Sequence, residues 1–430
     1  MIYHLFQYLE SIGADFPGLG LMHYLSFRAM MAAVTAVLVA MIAGKRIIGL
    51  LQRKQIGETV RDLGLADQIQ KKGTPTMGGV IIILSILSGV LLFCDLTNIY
   101  VILLLVSTLW CGALGFADDY IKVFKHNKEG MSEKGKLLGQ IVLGFIIGLT
   151  VWMSPDIVVR EKVEVKESIE RTLETETTVT TGRFKQENVV KSTKTTIPFV
   201  KNHEFDYRWL SPVKGVWGWY AKWAIYVLMI VLVITACSNG TNLTDGLDGL
   251  AAGTSAIVGV VLGIIAWLGG NLIDSNFLNI MYIPGSGEMA IFMSAFVGSL
   301  IGFLWFNSFP AQVFMGDTGS LTIGGVIGVA AVLMRKELLI PLLCGVFFAE
   351  SLSVLIQRTY FKITKKKYGQ GHRVWSMTPL HHHYQDKKAP EGPVLFPKPV
   401  PAQHEAKITV RFWIVGIILA VSTLALLKIR

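Results

Sequence analysis

The chain has 430 residues, 52% of them hydrophobic and 16% charged, and its mean hydropathy is +0.52. This composition lies far from that of a soluble globular domain, and it points to an integral membrane protein. The formal net charge of +10 could suit a nucleic-acid binder, but the basic residues flank apolar runs, where anionic lipid and topology explain them, so no nucleic-acid partner is expected.

A helix needs about 20 apolar residues to cross the hydrocarbon core. Runs of that kind occur at 22–43, 78–94, 99–117, 137–153, 221–238, 250–268, 289–306, 318–334, 338–357 and 410–427. They predict an all-α integral membrane protein of about ten transmembrane helices in the lipid bilayer, because lipid offers no partner for an unpaired backbone group. The alternation of a β-barrel is absent. No Lys or Arg precedes the first run, which is longer than a signal-peptide core and reads as a retained span, with Arg28 near its outer end placed to snorkel. Cys94, Cys111, Cys237 and Cys344 lie in or beside apolar runs without metal-ligand spacing and read as small core residues.

Alternating spans divide the loops into two sets. The segments 44–77, 118–136, 239–249, 307–317 and 358–409 hold most of the Lys and Arg, whereas 95–98 and 269–288 hold none. The first set is therefore expected in the cytoplasm. Residues 154–220 are basic yet fall in the second set, but loops beyond about 60 residues translocate regardless of charge. Alternation from Ile157 to Thr181, with Thr181-Gly182 as a turn, predicts a hairpin, and so an extracytoplasmic β-rich insertion over 154–220. Five prolines between 386 and 409 make that stretch irregular. The whole chain, 1–430, reads as one polytopic domain, with 358–409 a cytoplasmic loop carrying a histidine motif. No transporter-type repeat or coiled-coil heptad is evident.

The unusual polar motifs all fall in the cytoplasmic set: Gly73–Gly79, Asp118–Lys122, Asn239–Gly249, Asn307 with Phe314–Ser320, and Pro379–Tyr384. Accidents would scatter over both faces, so the clustering predicts one active site at the inner surface. The 239–249 turn reads as its floor, since a polar, glycine-rich loop between spans is costly unless it binds something.

Adjacent carboxylates such as Asp118 and Asp119 point different ways from a helix end, so one can meet a cation while the other handles a proton or a phosphate. Alone, the pair reads better as a solvated helix end. Together with Asp245, Asp248 and Asp317 it forms a set of hard oxygen ligands suited to Mg²⁺. Gly316–Ser320 is also a good helix start, with Asp or Thr as N-cap, and the nearby glycines let backbone N–H groups approach a pyrophosphate. Lys71, Lys72, Lys122 and Lys134 can neutralise phosphate or simply set topology. Three consecutive histidines, His381, His382 and His383, cannot all face one zinc ion; they suit hydrogen bonds to a sugar phosphate, or form a solvated loop. Glu350, inside the ninth run, marks a functional group or an internal network.

On the stretches Gly73–Gly79, Asp118–Lys122, Asn239–Gly249, Gly316–Leu321, Glu350–Gln357 and Pro379–Tyr384 the chain resembles the phospho-N-acetylmuramoyl-pentapeptide transferase family. The acidic motifs are those of the wider polyprenyl-phosphate sugar-1-phosphate transferases, and Pro-Leu-His-His-His-Tyr points to the muramoyl-pentapeptide branch. The resemblance implies UDP-N-acetylmuramoyl-pentapeptide and undecaprenyl phosphate as substrates, lipid I and UMP as products, and Mg²⁺ as cofactor. It also implies a multi-pass protein of the bacterial cytoplasmic (inner) membrane, its active site facing the cytoplasm, with a homodimer left open. Asp317 is then the metal ligand, and Asp118 and Asp119 the catalytic acids. Asn242, Asp245 and Asp248 would line the nucleotide site, Phe314 would stack on uracil, and Lys71, Thr76 and Gln357 would contact the nucleoside side. Lys122, Lys134, His381, His382 and His383 would hold phosphate or sugar groups. The departures are two long segments, 154–220 and 384–409. A transferase of N-acetylglucosamine 1-phosphate shares the acids; an intramembrane aspartyl protease has no use for the lysines and histidines, and a transporter would place its binding groups near the midplane.

Overall fold

The computed structural model describes residues 1–14, 18–54, 73–125, 127, 129–167, 179–198, 204–385, 392–397 and 402–427. The first half holds α1 (Ile2–Ser11), α2 (Leu25–Arg53), α3 (Gly79–Phe93), α4 (Ile99–Phe124), α5 (Glu133–Met153) and α6 (Gly215–Thr244). The second holds α7 (Leu250–Gly270), α8 (Leu272–Leu278), α9 (Gly287–Asn307), α10 (Gly316–Leu333), α11 (Ile340–Leu343), α12 (Gly345–Tyr368), α13 (Leu380–Gln385) and α14 (Glu405–Leu426). Among the described residues eight helices, α2, α4, α5, α6, α7, α9, α10 and α14, are long and apolar enough to cross a membrane.

That is eight rather than the ten expected. The run at 78–94 forms α3, a 15-residue helix, roughly 22 Å long at 1.5 Å per residue and short of a hydrocarbon core. The run at 338–357 divides into α11, which begins with Pro341 in its first turn, and the first half of α12. The second half of α12 carries Arg358, Lys362 and Lys365 to Lys367, which no apolar window tolerates.

Two other local expectations change. Residues 239–244 are not a loop but the last turns of α6. Two of their polar side chains bond within the bundle: Asn239 Nδ2 donates to Gln140 Oε1 of α5 at 2.7 Å, and Thr244 Oγ1 to the Gly240 carbonyl at 2.8 Å. Arg28 does not reach for water. It is buried, with both terminal nitrogens on the Glu288 carboxylate of α9 at 3.1 and 2.6 Å, because a charge at that depth is held more cheaply by a partner than by a long reach.

Helix α10 is the hub, packed against α3, α4, α6 and α7, and nearly every residue from Thr318 to Leu333 is buried. Small residues make this approach possible. A Cβ on Gly115 of α4 would collide with the Asp317 carbonyl, and one on Gly79 of α3 with the Gly319 backbone. The four cysteines are free and buried.

Between α5 and α6 lie β1 (Val159–Glu167) and β2 (Val179–Val190), antiparallel, and β3 (Lys194–Thr196) and β4 (Glu204–Asp206), also antiparallel. Gly182 sits inside β2 opposite Glu164, so Thr181-Gly182 is not the turn. The connection is 168–178, which lies outside the described residues. The β3–β4 pair docks on the turn after α10: the Thr196 N–H and the Thr195 hydroxyl both donate to the Arg335 carbonyl at 3.0 Å. Tyr207 donates to Glu337 at 3.3 Å, Lys336 donates to the Thr196 hydroxyl, and the Arg335 guanidinium lies 4.7 Å from the centre of the Tyr226 ring. This segment thus braces the end of α10 opposite Asp317. Beyond α12, β5 (Arg373–Trp375) and β6 (Val394–Phe396) pair in parallel.

Candidate active site

Three helices, α4, α5 and α10, bring charged groups to one place, and α6 adds the amide of Asn242. Asp118 and Asp119 occupy the last turns of α4, where the seam opened by Gly115 lets them meet the first turn of α10. That first turn has no side-chain cap of its own; neither Asp317 nor Thr318 is the N-cap. The cap comes from α4. Asp119 Oδ1 accepts the Asp317 N–H at 3.0 Å, and Oδ2 accepts the Thr318 N–H at 2.9 Å and its hydroxyl at 2.6 Å. These are the orphan donors that a capping residue ordinarily satisfies from within its own chain segment.

With its N–H taken, Asp317 turns its carboxylate the other way. Oδ2 lies 2.5 Å from Lys136 Nζ and 3.3 Å from Lys122 Nζ, while Oδ1 accepts Asn242 Nδ2 at 2.9 Å. Asp118 shares both lysines, at 2.7 Å from Lys122 and 2.9 Å from Lys136, and its Oδ1 accepts the Met131 N–H at 2.6 Å. Ligand oxygens of Asp118, Asp119 and Asp317 lie within 4.8 Å of one another. Three carboxylates against two ammonium groups leave a formal excess of one negative charge. Oxygen donors so arranged suit a hard divalent cation, with Asp317 and Asp118 the better placed, because Asp119 is committed to the α10 backbone.

Lys136 was missed. Of the two lysines in the first turns of α5, Lys134 is exposed and Lys136 meets the acids. Ser132 caps α5, and two positions on a helix differ by about 200°, so only one of them can face the site. Lys71 lies outside the described residues. Thr76 is buried beside Gly316, where a Cβ would stand 3.0 Å from the Thr76 hydroxyl. Phe314 is half-buried, its N–H on the Pro75 carbonyl at 2.8 Å and its own carbonyl on the Gly78 N–H at 2.8 Å, so the 73–79 motif is stitched to the start of α10. Asp245 ends α6 one turn beyond Asn242.

Three of the expected ligands make bonds within the fold. Asp248 is buried and its Oδ2 accepts the Ala311 N–H at 3.0 Å. Gln357 Oε1 accepts the Val374 and Trp375 N–H groups at 2.8 and 3.1 Å, and its Nε2 donates to the Trp375 carbonyl at 3.1 Å, which fixes β5. His381 is buried against Glu350, with Nδ1 at 3.3 Å from Oε1, so Glu350 serves an internal network. His383 is buried and His382 half-buried, its Nδ1 3.2 Å from Gln385 Oε1.

The family model of glycosyl transferase family 4 matches residues 189–335, and the first phospho-N-acetylmuramoyl-pentapeptide-transferase signature matches 71–83. The chain is 54% identical over 430 residues to the phospho-N-acetylmuramoyl-pentapeptide-transferase of Parabacteroides distasonis, with all of both chains covered. It is 52% identical over 432 residues to the enzymes of that name from Flavobacterium psychrophilum and Porphyromonas gingivalis, again over the full length of each. The similarity therefore runs through 154–220 and 384–409 as well as through the motifs.

Proposed function

Because the chain belongs to the phospho-N-acetylmuramoyl-pentapeptide-transferase family, we propose that its Asp118, Lys122, Lys136, Asn242 and Asp317 cluster carries the family's reaction. The protein is a multi-pass membrane phosphoglycosyl transferase. It moves phospho-N-acetylmuramoyl-pentapeptide from its UDP carrier to undecaprenyl phosphate, giving lipid I and UMP for peptidoglycan synthesis.

In this reading the cluster faces the cytoplasm at the inner membrane, and 154–220 lies outside the cell. Crossings by α3 and by α11 with the first half of α12 bring the total to ten. An oxygen of the lipid phosphate attacks the sugar-proximal phosphorus; the bond from that phosphorus to the bridging oxygen breaks, and UMP leaves with the electron pair. A phosphate monoester has a second pKa of about 6, so the nucleophile is largely dianionic at neutral pH and needs no dedicated base. That favours one direct displacement over an aspartyl-phosphate intermediate.

Asp317 and Asp118 would hold Mg²⁺, which supplies positive charge to the diphosphate and to the departing UMP. Lys122 and Lys136 neutralise oxygens of the same diphosphate, and their positions are set beforehand by the two acids. Asn242 orients Asp317 through the bond between them. Asp119 contributes by holding the first turn of α10, and thus Asp317, in place. Thr76, Phe314 and Asp245 lie toward the nucleotide. The observation that carries the reading is the meeting of two lysines, one from α4 and one from α5, on the shared Asp118 and Asp317 carboxylates.

The test follows UMP release by purified protein given undecaprenyl phosphate, Mg²⁺ and either UDP-N-acetylmuramoyl-pentapeptide or UDP-N-acetylglucosamine. Turnover with the first alone, lost in Asp317→Ala, is expected. Turnover unchanged in that variant would remove Asp317 from the reaction, and preference for the second sugar would make this a different transferase.

A further inference from the structure

The closing helix α14 ties the turn after α6 to the histidine motif, and the reaction as described makes no use of it. Glu405, Thr409 and Trp413 recur every four residues along one face. Glu405 Oε1 accepts the Asp248 N–H at 2.7 Å, the Thr409 hydroxyl donates to the Asp248 carbonyl at 3.1 Å, and Trp413 Nε1 to the Gly249 carbonyl at 3.3 Å. The other carboxylate oxygen faces the histidine motif, where Gln385 Nε2 donates to Glu405 Oε2 at 3.4 Å. Gln385 Oε1 in turn lies 3.2 Å from His382 Nδ1.

Glu405 is 0% exposed. A first-turn acid is favoured by the helix dipole, but that does not call for burial, which is costly for a carboxylate unless its bonds are specific. The chain of bonds has a definite direction. A carboxylate only accepts, so the Gln385 amide must turn its nitrogen toward Glu405 and its oxygen toward His382. That amide oxygen also only accepts, so His382 Nδ1 must carry the proton.

We propose that Glu405 is a positioning residue for the transferase, acting through Gln385 to hold His382 in its Nδ1–H form and at one ring orientation toward the substrate. The proposal rests on the reading of His382 as a substrate-binding group. Nε2 is then the ring atom through which His382 would meet the sugar or peptide part of the substrate. Partners that orient a metal-ligating histidine change activity by roughly 10- to 100-fold when altered, and the same scale is taken for one that orients a substrate-binding histidine.

A carboxamide at 405 can donate as well as accept, which lets Gln385 turn round and present its NH₂ group to Nδ1. Glu405→Gln is therefore expected to lower kcat/KM for UMP release roughly 10- to 100-fold while leaving the thermal unfolding midpoint in detergent near that of the parent. Gln385→Leu, which spares the Glu405 bond to Asp248, should give a similar loss and serves if Glu405→Gln does not fold. The decisive measurement is the double variant: Glu405→Gln with His382→Ala should be no slower than His382→Ala alone. Losses that multiply would show that Glu405 acts independently of His382 and so overturn the relay, as would parental activity in Glu405→Gln or in Gln385→Leu. If His382→Ala itself kept the parental rate, the assignment of His382 to the substrate would fall, and this proposal with it. A slow His382→Ala beside a fully active Glu405→Gln would sink the relay alone.

Discussion

Asp119 Oδ2 accepts two hydrogen bonds from Thr318, one from its N–H at 2.9 Å and one from its hydroxyl at 2.6 Å. This acid thus satisfies, from α4, the first-turn donors of α10 that a capping side chain would otherwise take. Asp119→Ala leaves buried donors without partners and is expected to destabilise the protein by about 1–3 kcal/mol, as well as stopping turnover. Asp317→Ala should stop turnover with a smaller fall in the unfolding midpoint, because its side chain holds up no backbone. Thermal unfolding of the two variants in detergent checks this; equal midpoints would deny Asp119 its capping role.

The two lysines of α5 give a sharper comparison. Lys136 Nζ lies 2.5 Å from Asp317 and 2.9 Å from Asp118, whereas Lys134 is exposed. Lys136→Met is expected to lose roughly 100-fold or more in UMP release, the scale of losing one donor to a developing charge. Lys134→Met should stay within about twofold of the parent, as a surface change away from any network does. The reverse order would place the helix in another phase.

Why that phase was hidden shows what could be read from the residues alone. Most spans follow from apolar length, and the gathering of acids at one end follows from their positions at span ends. Choosing Lys136 over Lys134 needs the starting residue of α5. The roles of Asp248 and Gln357 need contacts across many residues: Asp248 meets Glu405 157 positions away. The Asn239–Thr244 run looks like a loop by composition, yet burial against α5 and α12 pays for a helix there. Arg28 finds Glu288 260 positions away, a pairing no local pattern displays.

The seam between α4 and α10 depends on Gly115, where a Cβ would meet the Asp317 carbonyl. Gly115→Ala must push the two helices apart, and forced repacking of a tight contact typically costs about 1–3 kcal/mol. The shift also lengthens the bonds from Asp119 to the α10 first turn. The expected result is loss of both stability and turnover, measured as unfolding midpoint and UMP release. Parental values for both would mean that the helices do not approach this closely.

At the other end of α10 a pH dependence is expected. Glu337 is buried in the turn that β3 and Tyr207 cover, and desolvation pushes its carboxyl above the ordinary range despite the opposing pull of Arg335. A raised folded-state value means that the folded protein holds this proton more tightly than the unfolded chain, whose value is about 4.3. The stability from the protonated form is complete below that value and is lost as the pH rises through the folded one. Glu337→Gln keeps a neutral group there at every pH, so its unfolding midpoint should gain on the parent between pH 5 and pH 8. A difference that stays flat across this interval, or shrinks, would mean that Glu337 is already ionised in the folded protein.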